Sequence, residues 1–204
     1  MVTNKVILQG GGGHARVVLD CLLSQSAQVL ALFDPQYEGD LFGIPRRSAY
    51  DAAFEPDALA IIAIGDNATR KRLAGLTRHR FTNAIHPSVI RSPFASIGVG
   101  NMLLHGAIIQ AQTRIGNHVI VNTGAQVDHD CTIEDYVHVG PGAVICGGVS
   151  IGEGSFIGAG ATVIPGKKIG AWSIIGAGSV VIHDIPAYGV AVGNPAKMIR
   201  SLQP

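Results

Sequence analysis

From Ile97 to Val181 every sixth residue is aliphatic, with no slip of register: Ile97, Leu103, Ile109, Ile115, Val121, Val127, Ile133, Val139, Ile145, Ile151, Ile157, Val163, Ile169, Ile175 and Val181. The residue four places further on is usually small, as at Ala107, Ala125, Cys131, Ala143, Ser155, Ala161, Ser173 and Ser179. Glycine often follows the aliphatic residue directly, as at Gly98, Gly116, Gly140, Gly152, Gly158, Gly170 and Gly176. Neither the helical nor the strand period gives such a pattern. A fixed six-residue repeat marks a parallel β-helix, in which each hexad supplies a short flat strand and a turn, and three hexads close a triangular coil. The pattern predicts the aliphatic residue in the axis, the small one beside it, and glycine at the corner, where it permits the tight turn.

The first part of the chain has another rhythm. Residues 6–9 read as a buried strand and 10–13 as a glycine loop. Residues 14–24 read as a helix with Ala15, Val18, Leu19 and Leu22 on one face. A second strand is expected over 29–33, ending at Asp34, then a loop rich in Pro and Gly. The apolar run 59–64 predicts a central parallel strand. Asn67 is expected to cap a helix over 68–76, and 81–85 to form a last short strand. Strands alternating with helices predict a small Rossmann-like α/β domain with a parallel sheet over 1–86. The β-helix then occupies 87–186, and 187–204 form a C-terminal tail.

Composition narrows the classes. Hydrophobic residues make up 47% of the 204 residues and aromatics only 5%, which suits a core of stacked Ile, Val and Ala. A net charge of +1 gives no electrostatic case for nucleic acid or an acidic membrane surface. No apolar run reaches the ~18 residues of a membrane span, and the first residues lack a secretory pattern. Cys21, Cys131 and Cys146 are too few and too scattered for a disulfide framework or a CxxC metal site. Cys131 falls at a small inward position, which suits core packing. The spacing of His105, His118, His129 and His138 gives no close pair for zinc, and His105 and His118 read as surface residues. The expectation is a cytoplasmic, reduced protein with no metal and no nucleic-acid or membrane partner.

Two stretches carry candidate chemistry. Gly10-x-Gly12-x-x-Ala15 follows a strand and opens a helix. Small residues there let the backbone approach a phosphate, and the helix N-terminus supplies N–H donors. The alternative is a turn that merely needs glycine. The domain is short for a complete dinucleotide fold, which favours a mononucleotide. Asp34 stands where an acid could accept bonds from a ribose or base, and His14 either bonds a diphosphate or caps the turn. On the coil, Asp128-His129-Asp130 replaces the Gly, Ala or Asn of most hexads. An imidazole beside a carboxylate is a candidate general base; the alternative is a solvated polar corner. A direct bond from Asp130 requires corner geometry, so Asp128 or a neighbouring chain stays in play as the orienting acid. One coil on, Gly147-Gly148 could offer a backbone N–H to an oxyanion. His138 lies half a coil from His129, so the two rings share a substrate only if neighbouring chains bring them together.

Several stretches together resemble a known family. They are Gly10-Gly11-Gly12-Gly13-His14, Phe33-Asp34, Ile62-Ala63-Ile64-Gly65-Asp66-Asn67, the run from Val121 through Asp128-His129-Asp130, Phe156-Ile157-Gly158-Ala159-Gly160-Ala161, and Val192-Gly193-Asn194-Pro195-Ala196-Lys197. The chain resembles the sugar O/N-acetyltransferases of the sialic acid O-acetyltransferase type, whose relatives N-acetylate UDP-4-amino sugars. The resemblance implies a left-handed coil, against the usual right-handed crossover preference. It also implies a homotrimer with sites between adjacent coils, acetyl-CoA as cosubstrate, and a nucleotide sugar held by the N-terminal domain. His129 is then the general base and Asp130 the acid that raises its basicity. His138, Gly147, Ala159 and Ala177 match acetyl-CoA contacts. Gly12, Gly13, His14, Asp34 and Gly65 match nucleotide-sugar contacts, with Gly12 in place of a serine found in some relatives. Rival readings are O-acetylation of sialic acid, N-acetylation of a GDP- or dTDP-amino sugar, and a non-catalytic nucleotide-binding scaffold.

Overall fold

The computed structural model describes residues 5–37 and 39–202. The N-terminal sheet has the order β3-β4-β2-β1-β5, with β1 Lys5–Gln9, β2 Gln28–Phe33, β3 Asp40–Leu41, β4 Ile44–Arg47 and β5 Leu59–Ile62. All its pairings are parallel except the β3–β4 hairpin. Helix α1 (Gly13–Ser24) covers one face with Ala15, Val18, Leu19 and Leu22, and Tyr50, Phe54 and Phe81 cover the other.

Two local expectations are corrected. Asp66, not Asn67, caps α2 (Asn67–Leu76), its Oδ1 accepting from the Thr69 N–H at 2.8 Å. Asn67 instead ties the helix to the coil, its buried Nδ2 donating to the Gly154 and Ser155 carbonyls at 2.9 and 3.2 Å. The strand expected over 81–85 divides. Phe81 bridges to Ala60, while β6 (Ala84–Ile85) pairs with Met102–Leu103 at the start of the coil.

The coil stacks at eighteen residues per turn, since Ile90, Ile108 and Gln126 are successive partners. Its first face runs through Met102, Ile120, His138, Phe156 and Ile174, and is extended by Gly189–Val192 and the antiparallel Lys197–Ser201. The second runs through Ile108, Gln126, Val144 and Thr162, and the third through Arg114, Thr132 and Ser150. From Leu103 to Val181 every aliphatic residue of the period is buried, with the small corner residues beside it.

The corner itself differs from expectation. Positive φ recurs every sixth residue from Gly100 to Gly178, three places after the aliphatic residue and not one. The glycines that follow the aliphatics answer another need. A Cβ on Gly158 would lie 2.5 Å from the Ala177 nitrogen one coil on, so these glycines permit close stacking of coils. Five positions of the positive-φ row carry side chains: Gln112, His118, Asp130, Tyr136 and Trp172.

No linker separates the two parts. Met102, Leu104 and Ile120 of the coil share one core with α1. Burial of side chains of this size contributes roughly 1.5–3 kcal/mol each. Arg70, at 0% exposure, is buried in this same seam.

Candidate active site

The glycine loop opens onto a cavity of about 590 Å³. Gly12, Gly13, His14, Asp34 and Gly65 all line it, together with Tyr37, Tyr50, Thr69 and Arg72. Asp34 is already occupied: its Oδ2 accepts from the Gly11 N–H at 2.7 Å and its Oδ1 from the Gln36 N–H at 2.9 Å. It braces the loop and, with acceptor capacity to spare, still faces the cavity. Arg46 Nη2 bonds the Gly11 carbonyl at 3.1 Å from the other side. Gly12 is the N-cap of α1 and supplies no side-chain cap, so N–H groups of the first turn stay open toward the cavity. The Tyr37 ring folds over the loop, and a Cβ on Gly12 would lie 3.3 Å from its hydroxyl. Nothing in the sequence pattern points to Tyr37 or to Tyr50. Tyr50 is held by His79 Nδ1 at 2.7 Å and stands edge-on to Phe33.

Where this cavity meets the coil, His14 and His138 face each other with ring centroids 6.2 Å apart. Burial, and then the charge of Arg70, pushes the His14 imidazole down to about 4. The same causes, in the same order, push His138 down to about 3, with His14 adding to the effect. Both rings are neutral hydrogen-bonding groups. His14 Nε2 is buried with no partner among the described residues, so it presents an open valence to whatever enters. His138 is bonded on both sides, to Asn122 Nδ2 at 3.0 Å and to the Gly65 carbonyl at 3.3 Å. A second cavity, of about 630 Å³, adjoins at Gly65 and is walled by Phe156, Trp172, Ile174 and Tyr188.

His129 occupies a different place. It lies at the corner between the second and third faces of the coil, opposite the face that the N-terminal domain covers, and lines neither of these two cavities. Asp130 adopts φ 58°, and that bend turns its carboxylate back to accept from His129 Nδ1–H at 2.7 Å. Asp128 Oδ1 caps the His129 main-chain N–H at 2.8 Å. The bond from Asp130, and then the charge of Asp128, holds the imidazole above its usual range. Nε2 is left as the basic nitrogen. The ring lies flat over the next coil, where a Cβ on Gly147 would be 2.6 Å from Cε1 and Nε2. The Gly148 N–H is spent on the His129 carbonyl at 2.9 Å.

Ala159 and Ala177 stack at the corner between the first and second faces, both exposed, with the Gly178 N–H on the Ala159 carbonyl at 2.8 Å. The residues grouped by resemblance as coenzyme contacts therefore fall in three places: Ala159 and Ala177 at this corner, Gly147 beneath His129, and His138 in the domain seam.

The readings of His118 and His105 as surface residues need correction. His118 is buried, stacked on Tyr136 at 5.3 Å and edge-on to Phe81 at 4.4 Å. Burial, and then Arg70, pushes it down to about 4. His105 is partly covered, stacked on His86 at 3.7 Å with Nε2 3.0 Å from Asp20 Oδ2. The available signal for His118 was the six-residue row itself, where a side chain in place of the usual glycine sets a corner apart. Among the described residues no group of three or more His, Cys, Asp or Glu could hold a metal ion, and no helix is long and apolar enough to cross a membrane.

Comparison with known proteins agrees with this two-part build. Residues 5–75 match the PglD N-terminal domain, and 112–147, 130–165 and 148–183 match the bacterial transferase hexapeptide (six repeats). UDP-N-acetylbacillosamine N-acetyltransferase of Bacillus subtilis (strain 168) is 45% identical over 109 residues, 48% of this chain and 50% of that protein, so the match spans about half of that curated relative. Among solved structures, a histidine-to-asparagine mutant of perosamine N-acetyltransferase from Caulobacter crescentus, in complex with CoA and GDP-perosamine, superposes with a TM-score of 0.93 at 40% identity over 97% of both chains. The acetyltransferase domain of PglB from Neisseria gonorrhoeae FA1090, in complex with acetyl coenzyme A, gives 0.91 at 31% identity over 97% of this chain and 100% of that one.

Proposed function

The chain belongs to the hexapeptide-repeat acetyltransferases with a PglD N-terminal domain, and we propose that it moves the acetyl group of acetyl-CoA to the amine of a nucleotide-linked amino sugar, a UDP-4-amino-4,6-dideoxy sugar foremost. The observation that carries this reading is the convergence of Gly12, Gly13, His14, Asp34 and Gly65 on one cavity at an open helix N-terminus. That geometry suits a diphosphate over the first turn of α1 and a nucleoside toward Tyr37 and Tyr50.

The base comes from another protomer. His129 lies on the far side of its own coil from its own cavity, so a homotrimer that sets one chain's corner against the next chain's seam completes the site. The neutral amine attacks the thioester carbonyl and its proton passes to His129 Nε2. The Gly147 N–H steadies the oxyanion. The C–S bond then breaks, and the departing thiolate of CoA takes the proton back. The coenzyme arm lies along the corner of Ala159 and Ala177. A GDP-linked amino sugar is the second reading, favoured by the Caulobacter relative at 40% identity over nearly the full chain.

Thiol release from acetyl-CoA, followed across UDP-, GDP- and dTDP-4-amino sugars and free sialic acid, tests the assignment. Turnover with the UDP-amino sugar is expected to lead. Release only with sialic acid makes the acceptor a hydroxyl, and none with any acceptor leaves a binding scaffold.

A further inference from the structure

Arg70 is wholly buried, yet no acid among the described residues bonds it. Each of its five N–H donors has an acceptor. Nε donates to the His118 carbonyl at 2.8 Å, Nη1 to the Ile64 and Gly65 carbonyls at 3.0 and 3.2 Å, and Nη2 to Asn67 Oδ1 at 2.8 Å and the Tyr136 carbonyl at 2.7 Å. These acceptors belong to two bodies. Ile64 and Gly65 form the turn between β5 and α2, and His118 and Tyr136 are consecutive coil corners on one edge, both at positive φ.

The Gly65 carbonyl takes a second bond, from His138 Nδ1. Two partners together fix which nitrogen of that ring carries the proton, Asn122 at Nε2 and the Gly65 carbonyl at Nδ1. Asn122 Oδ1 accepts from the Thr123 N–H at 2.8 Å, so its Nδ2 is the donor to His138 Nε2. The proton of His138 therefore sits on Nδ1 and points at Gly65. An unbroken chain of bonds runs from Arg70 through Gly65, His138 and Asn122 to the coil corner at Thr123.

Keeping a cation here is costly, and a neutral side chain could not span five acceptors. The titratable groups around it are Asp66, held by Thr69, the Tyr136 phenol, and the imidazoles of His14, His118 and His138.

We infer that Arg70 is a positioning residue for the transfer: by locking the Gly65 carbonyl against two coil corners it holds His138 in one tautomer and fixes how the nucleotide loop sits against the coil. This rests on the acetyl-transfer reading. Arg70 lines neither cavity, so its loss misaligns two bound substrates without removing a contact to either. Misplacement of about 1 Å costs about 10² in rate.

The test compares Arg70→Met and Arg70→Lys with the wild type, well below their melting temperatures. In Arg70→Met, kcat is expected to fall about 10²-fold, with KM for both substrates within about threefold. Arg70→Lys keeps the charge but not the five-way reach, and is expected to recover only part of kcat. ¹⁵N-histidine NMR of the substrate-free wild type is expected to show His138 protonated on Nδ1, and Arg70→Met to lose that single form. Folded Arg70→Met with kcat near wild type, full recovery in Arg70→Lys, or wild-type His138 protonated on Nε2 would each overturn the proposal. If Arg70→Met does not fold, Arg70→Lys decides it, read for both kcat and the His138 tautomer: wild-type values of both would overturn the proposal. Absence of thiol release by the wild type would remove the functional reading, while the tautomer measurement, made without substrate, still tests the hold on His138.

Discussion

His129 and His138 lie half a coil apart on the same scaffold, and their surroundings have opposite effects. The His129 side chain is 60% exposed, bonded to one acid and faced by another, and its proton affinity is raised. His138 is buried beneath the N-terminal domain beside a guanidinium, with its proton affinity far below the usual value. One ring is arranged to take up and release a proton, and the other to remain neutral and keep its shape. The difference lies in the neighbours: a rigid coil presents both types of corner, and what packs on each corner decides its chemistry.

The comparison breaks most sharply at the exposed ring. His129→Ala is expected to lower kcat about 10³-fold, within the range typical of a lost general base. Its melting temperature should stay within a degree or two, because the ring lies outside the apolar core of the coil. Calorimetric titration with CoA should give unchanged affinity. Retention of more than a tenth of wild-type kcat would move the base elsewhere, with His14 and its unpartnered Nε2 the next candidate.

Gly147→Ala probes the same ring without changing its chemistry. The new methyl would stand 2.6 Å from Cε1 and Nε2, and the main chain cannot yield easily, since the Gly148 N–H is tied to the His129 carbonyl at 2.9 Å. The imidazole must swing off the coil and break its bond to Asp130. Steady-state kinetics should show a loss in kcat of about 10², the scale of a misplaced catalytic group. An unaltered kcat would mean that ring placement over Gly147 is irrelevant to the reaction.

The coil is legible in sequence because its core repeats: an aliphatic residue every six positions can be buried in only one way, and those from Leu103 to Val181 all are. The glycine loop is legible for a similar reason, strand, glycines and helix being adjacent in sequence. The seam is not. No local pattern sets Arg70 apart from Lys71 and Arg72, and only the docking of α2 onto the corners of His118 and Tyr136 buries it. Asp34, expected to meet a ligand, also braces Gly11, a contact between segments 23 residues apart that no local pattern encodes. The glycines that follow seven of the aliphatic residues stand out in sequence as turn formers, and their actual purpose does not, because contact between successive coils is invisible within one hexad. The Asp130 bond, open at the level of sequence, is decided by a backbone angle at that corner.

The mildest test is Asp130→Asn. Asparagine tolerates positive φ, so the corner at 58° should persist, and its amide oxygen can still accept from Nδ1–H and keep the tautomer. What weakens is the bond that contributes most to raising His129, because a neutral amide oxygen accepts less strongly than a carboxylate, with the charge of Asp128 still present. A protonated imidazole cannot act as a base, so activity falls as pH drops through its pKa. Raising that pKa starts the fall at a higher pH, and removing the acid moves the acid limb of the kcat/KM profile to lower pH. The plateau should fall about three- to tenfold, because the remaining base is weaker. The ratio of mutant to wild-type rate should therefore climb as the solution is acidified from pH 8 to pH 6. A ratio that stays flat across that window would mean that Asp130 orients the ring without tuning it, and that Asp128 sets its basicity.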